Sequence, residues 1–350
     1  MPRSTGRAGA GRTGVAVPVL ADSLADVVAE LAAEGPGPRR DPRVAAVERL
    51  LRAPVSVAVH GREGVGRGAV ASSLRALGAA VAGPGLAADI DVLVVAETIT
   101  EEDRTFVAAQ SNPSVLVLNK ADLGGAGPGG PVRAAAAQAG RLEALLRLPV
   151  VPMVALLTLV RIDDDDVAAL RTLVGTPADV SSVDAFVSCP HPLPAEVRRA
   201  LIDRLDRFGL AHAILAVADG AGADEVAARL HIASGADAVR GAIGRAATVV
   251  GYLRCCTAVR ILRALAAERD DERLAAWIDG DEVVFAVMTA AVAVVEATGA
   301  TVDRGDDAGA HTRRALRWQG LVQGPLDALH RRCAADIARG SLRLLEACGG

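Results

Sequence analysis

Two short clusters in this chain combine residue types that could handle a phosphate-bearing, base-bearing ligand. The first is Gly61-Arg62-Glu63-Gly64-Val65-Gly66-Arg67-Gly68. Glycines at this spacing let successive backbone N–H groups curl around an anion, and a helix beginning at the end of the turn adds its dipole. The second is Asn119-Lys120-Ala121-Asp122, which uses the only lysine of the chain and one of its two asparagines. A carboxylate at Asp122 can accept from two adjacent N–H donors of a ligand. A ligand offering an acceptor there would leave a desolvated charge unpaired, at roughly 1.5–3 kcal/mol per lost charged hydrogen bond.

The first cluster has the spacing of the phosphate-binding loop G-x-x-x-x-G-K-[ST], with Arg67 for the lysine and Gly68 for the hydroxyl residue. The second follows the apolar run Val115 to Leu118 and closely resembles the N-K-x-D motif of P-loop GTPases. That resemblance assigns Asp122 to the two guanine donors, Asn119 to the base and to bracing the loop, and the stem of Lys120 to the ring face. It places a base-side loop after the run Val150 to Leu156, where Ala155 alone survives of an S-A-K-type pattern. GTP or GDP is the implied cofactor. The resemblance covers about residues 41–160. The lead-in Leu51 to Val59, after an amphipathic helix, is similar to bacterial dynamin-like GTPases, which carry a helical domain behind the nucleotide domain.

Departures from the pattern bear on chemistry. Arg67 keeps a positive charge but aims a planar fork where a lysine aims a compact ammonium. Gly68 has no oxygen for Mg²⁺, without which charge developing on a γ-phosphate loses its main stabiliser. No D-x-x-G lies between Gly66 and Asn119. Asp89, Asp91 and Glu97 are candidates for a substitute metal carboxylate, though acids in such places read more simply as solvated or capping groups. Whether Mg²⁺ has a role is therefore open.

The elements that must position these residues follow from periodicity. Residues 1–19 are Gly/Arg/Pro-rich without a period and predict a disordered arm, followed by a helix over 21–33. Asp41 is a good N-cap before Pro42, predicting a helix to about Arg52. Apolar runs at Val55–Val59, Ile90–Ala96, Val115–Leu118 and Val150–Leu156 are separated by helical stretches over about 68–80, from Thr100, and over 133–147. Buried runs alternating with helices predict an α/β, doubly wound, mainly parallel sheet, P-loop NTPase-like but shortened. From about Ser181 the pattern changes. Ala211–Val217 reads as an added edge strand, and beyond Asp224 nearly everything reads as helix, with stretches over 240–265, 281–298 and 310–347. The expected division is 1–40, arm and first helix; 41–180, the GTPase-like domain; and 181–350, linker and α-helical bundle.

Composition narrows the partners. A net charge of −4 and a pI near 5.9 give no general attraction to nucleic acid, and 2% aromatics leave little to stack on bases. The longest apolar stretch, Val283 to Val295, is 13 residues, short of the roughly 20 needed to cross a bilayer, so membrane contact is unsupported. Five cysteines without a C-x-x-C pair read as free thiols, and the expected location is cytoplasmic. The acidic run Asp163 to Asp166 precedes a helix and suits its dipole as a cap. His60, directly before the glycine loop, is read as an ordinary strand-end histidine.

The expectation is a GTPase-like regulatory or scaffolding protein, non-hydrolysing or weakly active, pairing with an intact GTPase paralogue or with another copy of itself. Two alternatives stand beside it: a slow genuine GTPase with a non-standard metal site, and a helical interaction module indifferent to nucleotide.

Overall fold

The computed structural model describes residues 24–26, 28–29, 41–83, 85–125 and 128–349. The arm expected over 1–19 lies outside them, as does most of the helix expected over 21–33. Its described positions, 24–26 and 28–29, are helical (α1), with Leu24, Ala25 and Val28 buried. The chain separates into two compact units, one formed by residues 56–243 and the other, in its described part, by α1, residues 41–55 and 244–349.

The first unit is built on a five-stranded, all-parallel sheet: β1 (Ser56–His60), β2 (Ala80–Val81), β3 (Ile90–Ala96), β4 (Ser114–Asn119) and β5 (Val150–Pro152), in the order β2-β1-β3-β4-β5. β3 and β4 are buried almost throughout, which is why they read as unbroken apolar runs. Register sets His60 beside Leu93, Ala96 beside Asn119, and Leu118 beside Pro152, so the loops after four strands emerge at one edge. The order reverses between β1 and β3, and in parallel α/β sheets ligands bind outside the carboxyl ends of the strands at such a reversal.

The connecting helices are α3 (Arg67–Ala76), α4 (Glu101–Ala109) and α5 (Gly130–Leu146). Thr100 and Asp103 form a reciprocal capping box at the start of α4. α3 stops four residues earlier than its apolar pattern suggests. Gly78, at φ 87°, turns the chain left-handed, and the amides of Gly78 and Ala79 return to Arg75 O and Leu74 O. That closure frees Ala80 and Val81 to pair with β1 as a strand hidden in the sequence. β5 is likewise shorter than its apolar run, which continues into a 3₁₀ turn at Ala155–Leu159.

Two expectations are corrected here. Ala211–Val217 is no edge strand but part of α8 (Ala195–Ala218). The sheet unit also reaches past residue 180, taking in α6 (Asp164–Gly175), α7 (Val183–Ser188), α8 and α9 (Ala223–Ser234). The reason is apolar: Leu201, Leu205, Leu210, Val226 and Leu230 share one core with Leu116, Leu118 and Leu157. Asp163 caps α6 through a reciprocal bond with Asp166, as its place before an apolar run implies.

The second unit is helical, comprising α2 (Pro42–Arg52), most of α10 (Ala236–Arg269), α11 (Glu272–Ile278), α12 (Asp281–Ala297), α13 (Ala308–Val322) and α14 (Ala328–Gly349). The stretch 310–347 is thus two helices, parted near Gly324-Pro325. Asp41 caps α2 on the Arg43 amide, and Val47 and Leu51 join a core with Tyr252, Val294 and Ile337. Tyr252 is fully buried, and its hydroxyl donates to Asp336 at 2.6 Å. Among the described residues no helix is long and apolar enough to cross a membrane.

All five cysteines are free thiols. Burial pushes the thiols of Cys255 and Cys333 up to about 12, whereas Cys348 is exposed. Mass spectrometry after a short maleimide pulse on native protein is expected to find Cys348 labelled, with Cys255 and Cys333 reacting only after denaturation. Equal labelling of all three would contradict this core.

Candidate nucleotide site

The two clusters singled out by composition meet at the carboxyl edge of the sheet. Gly61, Gly64 and Gly66 carry φ values of 147°, 84° and 85°, the left-handed side that side chains rarely adopt. Gly66 is also sterically required, since a Cβ there would lie 2.3 Å from Asn119 Nδ2. α3 starts directly behind it with no side-chain cap, so its first-turn amides are open to an anion.

Asn119 ends β4 and is 4% exposed. Its Nδ2 donates to Val65 O at 2.9 Å, inside the glycine loop, and its Oδ1 accepts from the Ala155 amide at 3.1 Å, inside the loop after β5. Asn119 thus ties the glycine loop to the loop after β5. Ala155 is held from its other side as well, its carbonyl accepting from Ser73 Oγ at 3.2 Å on α3. Ser73 was not legible as part of this site. The one signal it offered was a hydroxyl on the apolar face of a helix, between Val70 and Leu74.

Arg67 is exposed and turns back on its own loop, Nη1 donating to Gly61 O at 3.3 Å. Gly68 faces open space, with no atom within 4 Å of a Cβ built there. Lys120 is exposed and left-handed at φ 56°, bordering a small cleft with Glu97, Thr98, Gly124 and Gln138.

Asp122 sits in a 3₁₀ turn (Ala121–Leu123) and is half-buried. Burial holds its carboxyl above the usual carboxylate range, the nearby charge of Asp206 adding to this. Its own backbone amide and Lys120 oppose the shift. Among the described residues its carboxylate has no hydrogen-bonding partner beyond that amide. It borders neither the small cleft nor the larger one beside the glycine loop. The structure thus joins the glycine loop, Asn119 and Ala155 into one unit and leaves Asp122 outside these ties.

Of the carboxylates considered for a metal, Asp91 is bound to His60 and Asn112, and Asp89 accepts from the amide and hydroxyl of Ser56. Among the described residues no group of three or more His, Cys, Asp or Glu could hold a metal ion.

Comparison with protein-family models, with curated proteins and with solved structures finds no match in any of the three.

Two stability measurements test this geometry. Asn119→Ala orphans a buried carbonyl and a buried amide, each worth about 1–3 kcal/mol, so a loss of at least ~2 kcal/mol is expected in urea unfolding. A loss under ~0.5 kcal/mol would mean the tie is not formed. Asp122→Asn is expected to stabilise the protein at neutral pH. A carboxyl raised on folding penalises the folded state once pH exceeds its unfolded value, here the ordinary 3.8. The advantage of Asn should therefore shrink as pH falls through the raised value toward 3.8 and vanish below it. Urea midpoints of the two proteins compared across that range check the sign.

Proposed function

We propose that the sheet unit is a degenerate GTPase-like module that binds GDP or GTP without efficient hydrolysis and serves a regulatory or scaffolding role. The observation that carries this reading is the Asn119 carboxamide, which ties the glycine loop to the loop after β5. Two further features support it. The amides at the start of α3 have no side-chain cap, and Asp122 is a half-buried carboxylate with no hydrogen-bonding partner beyond its own amide among the described residues. The weak chemistry follows from Gly68, which offers no hydroxyl to a metal, and from Arg67, whose fork rests on Gly61 O. Such a module would act by presenting a nucleotide-dependent surface to an intact GTPase or to a second copy of this chain.

Calorimetric titration of the full chain with GDP, GTP and ATP tests the proposal. Saturable binding of both guanine nucleotides is expected, with ATP weaker by roughly tenfold or more, and with Asp122→Ala erasing that preference. Gly68→Ser has room for its side chain and should make GTP affinity rise with added Mg²⁺. If neither guanine nucleotide binds, the proposal fails.

A further inference from the structure

α8 is not one regular helix. At Asp206 the backbone turns to φ 53° and ψ 178°, close to a region that only glycine occupies without strain. The helix divides there into a first segment ending at Leu205 and a second beginning at Arg207. The Asp206 side chain caps the second segment, its Oδ1 accepting from the Arg207 amide at 2.6 Å. A strained conformation of this kind persists only where the surroundings impose it.

Three contacts surround the break. Arg204 fixes the first segment by donating to both carboxylate oxygens of Asp166 and to Arg161 O. Arg207 fixes the second, its Nη1 donating to Ser181 O at 3.0 Å. The third contact is Leu157, from the turn after β5. A Cβ at Gly209 would lie 2.5 Å from Leu157 Cδ2 and 3.3 Å from Leu205 Cβ. A methyl of Leu157 therefore fills the place of a side chain at 209, on the face that also carries Leu205. Leu157, Leu205 and Gly209 are all buried. A side chain pressed into a helix backbone is a physical cause of a sharp bend.

Leu157 is itself held in place. Its amide donates to Val154 O at 3.0 Å. Ala155, two residues before it, is bound on its amide by Asn119 and on its carbonyl by Ser73. Asn119 in turn holds Val65 in the glycine loop. An unbroken series of contacts thus runs from the glycine loop to the break in α8. We propose that this series is a conformational link: the Asn119 tie seats Leu157, Leu157 imposes the bend at Asp206, and a ligand that shifts the glycine loop alters the bend. The ligand as input rests on the function proposed above, whereas the link between tie and bend does not.

The link is tested on the full chain without ligand. In urea unfolding Asp206→Gly is expected to raise the midpoint, because glycine adopts positive φ freely and caps a helix nearly as well as aspartate. The gain should fall by at least about half when Asn119→Ala or Leu157→Ala is also present, since a bend no longer imposed stores no strain. Thr100→Ala, which removes the cap of α4, should leave the gain intact. Hydrogen exchange over residues 203–212 should be about tenfold faster in Asn119→Ala than in Thr100→Ala. No gain from Asp206→Gly, equal gains in all four backgrounds, or exchange over 203–212 indifferent to Asn119→Ala would each overturn the proposal. Saturating GDP should change exchange over the same residues, and bound GDP that leaves it unchanged would overturn the proposal too. Failure of GDP to bind would remove the nucleotide reading alone, with the ligand-free measurements still deciding the link.

Discussion

The arrangement at the sheet edge depends on one buried carboxamide. Asn119 stands between the glycine loop and the loop after β5 and bonds one backbone group of each: the carbonyl of Val65 and the amide of Ala155. An amide side chain is short, neutral, and both donor and acceptor, so it satisfies the two at once. Aspartate would set two acceptors facing each other at Val65, and a hydrophobic residue would leave both groups orphaned in a dry site. The absence of a Cβ at Gly66 belongs to the same constraint, because Asn119 Nδ2 occupies that space.

Asn119 is committed to the two loops, whereas Asp122 nearby is half-buried, has a carboxyl raised by that burial, and among the described residues has no hydrogen-bonding partner beyond its own amide. The glycine loop has a backbone form suited to an anion, while Gly68 brings no side-chain oxygen and Arg67 is turned back on Gly61 O. On the function proposed above, such a site would bind a phosphate group and offer little to stabilise charge during phosphoryl transfer. Beside it, His60 on the wall of the larger cleft is bound to Asp91, which also accepts from Asn112.

Much of the sheet unit is legible before any coordinates. β3 and β4 are covered on both faces, so their residues must be apolar without alternation, and Thr100 and Asp163 announce helix starts by pairing with the acid three residues on. What escapes does so for identifiable reasons. β2 is two residues long and carries no period, and only the Gly78 turn separates it from α3. The segment His-Ala-Ile-Leu-Ala-Val in α8 is apolar over a length at which helix and buried strand look alike. Its true state is set by the core it shares with Leu157 and Leu118.

The parallel α/β sheet, the glycine turn, the place of Asn119 and Asp122 after a buried strand, and most helix starts are written in the order of the residues. These are local matters, governed by side-chain period, φ preference and capping within a few residues. That Ser73 and Ala155 belong to the same tie, that α8 and α9 complete the sheet unit, and that His60 is bound to Asp91 emerge from long-range packing. Each of those contacts joins segments distant along the chain, and a hydrogen bond across such a gap leaves no period or spacing for a reader of the sequence to find.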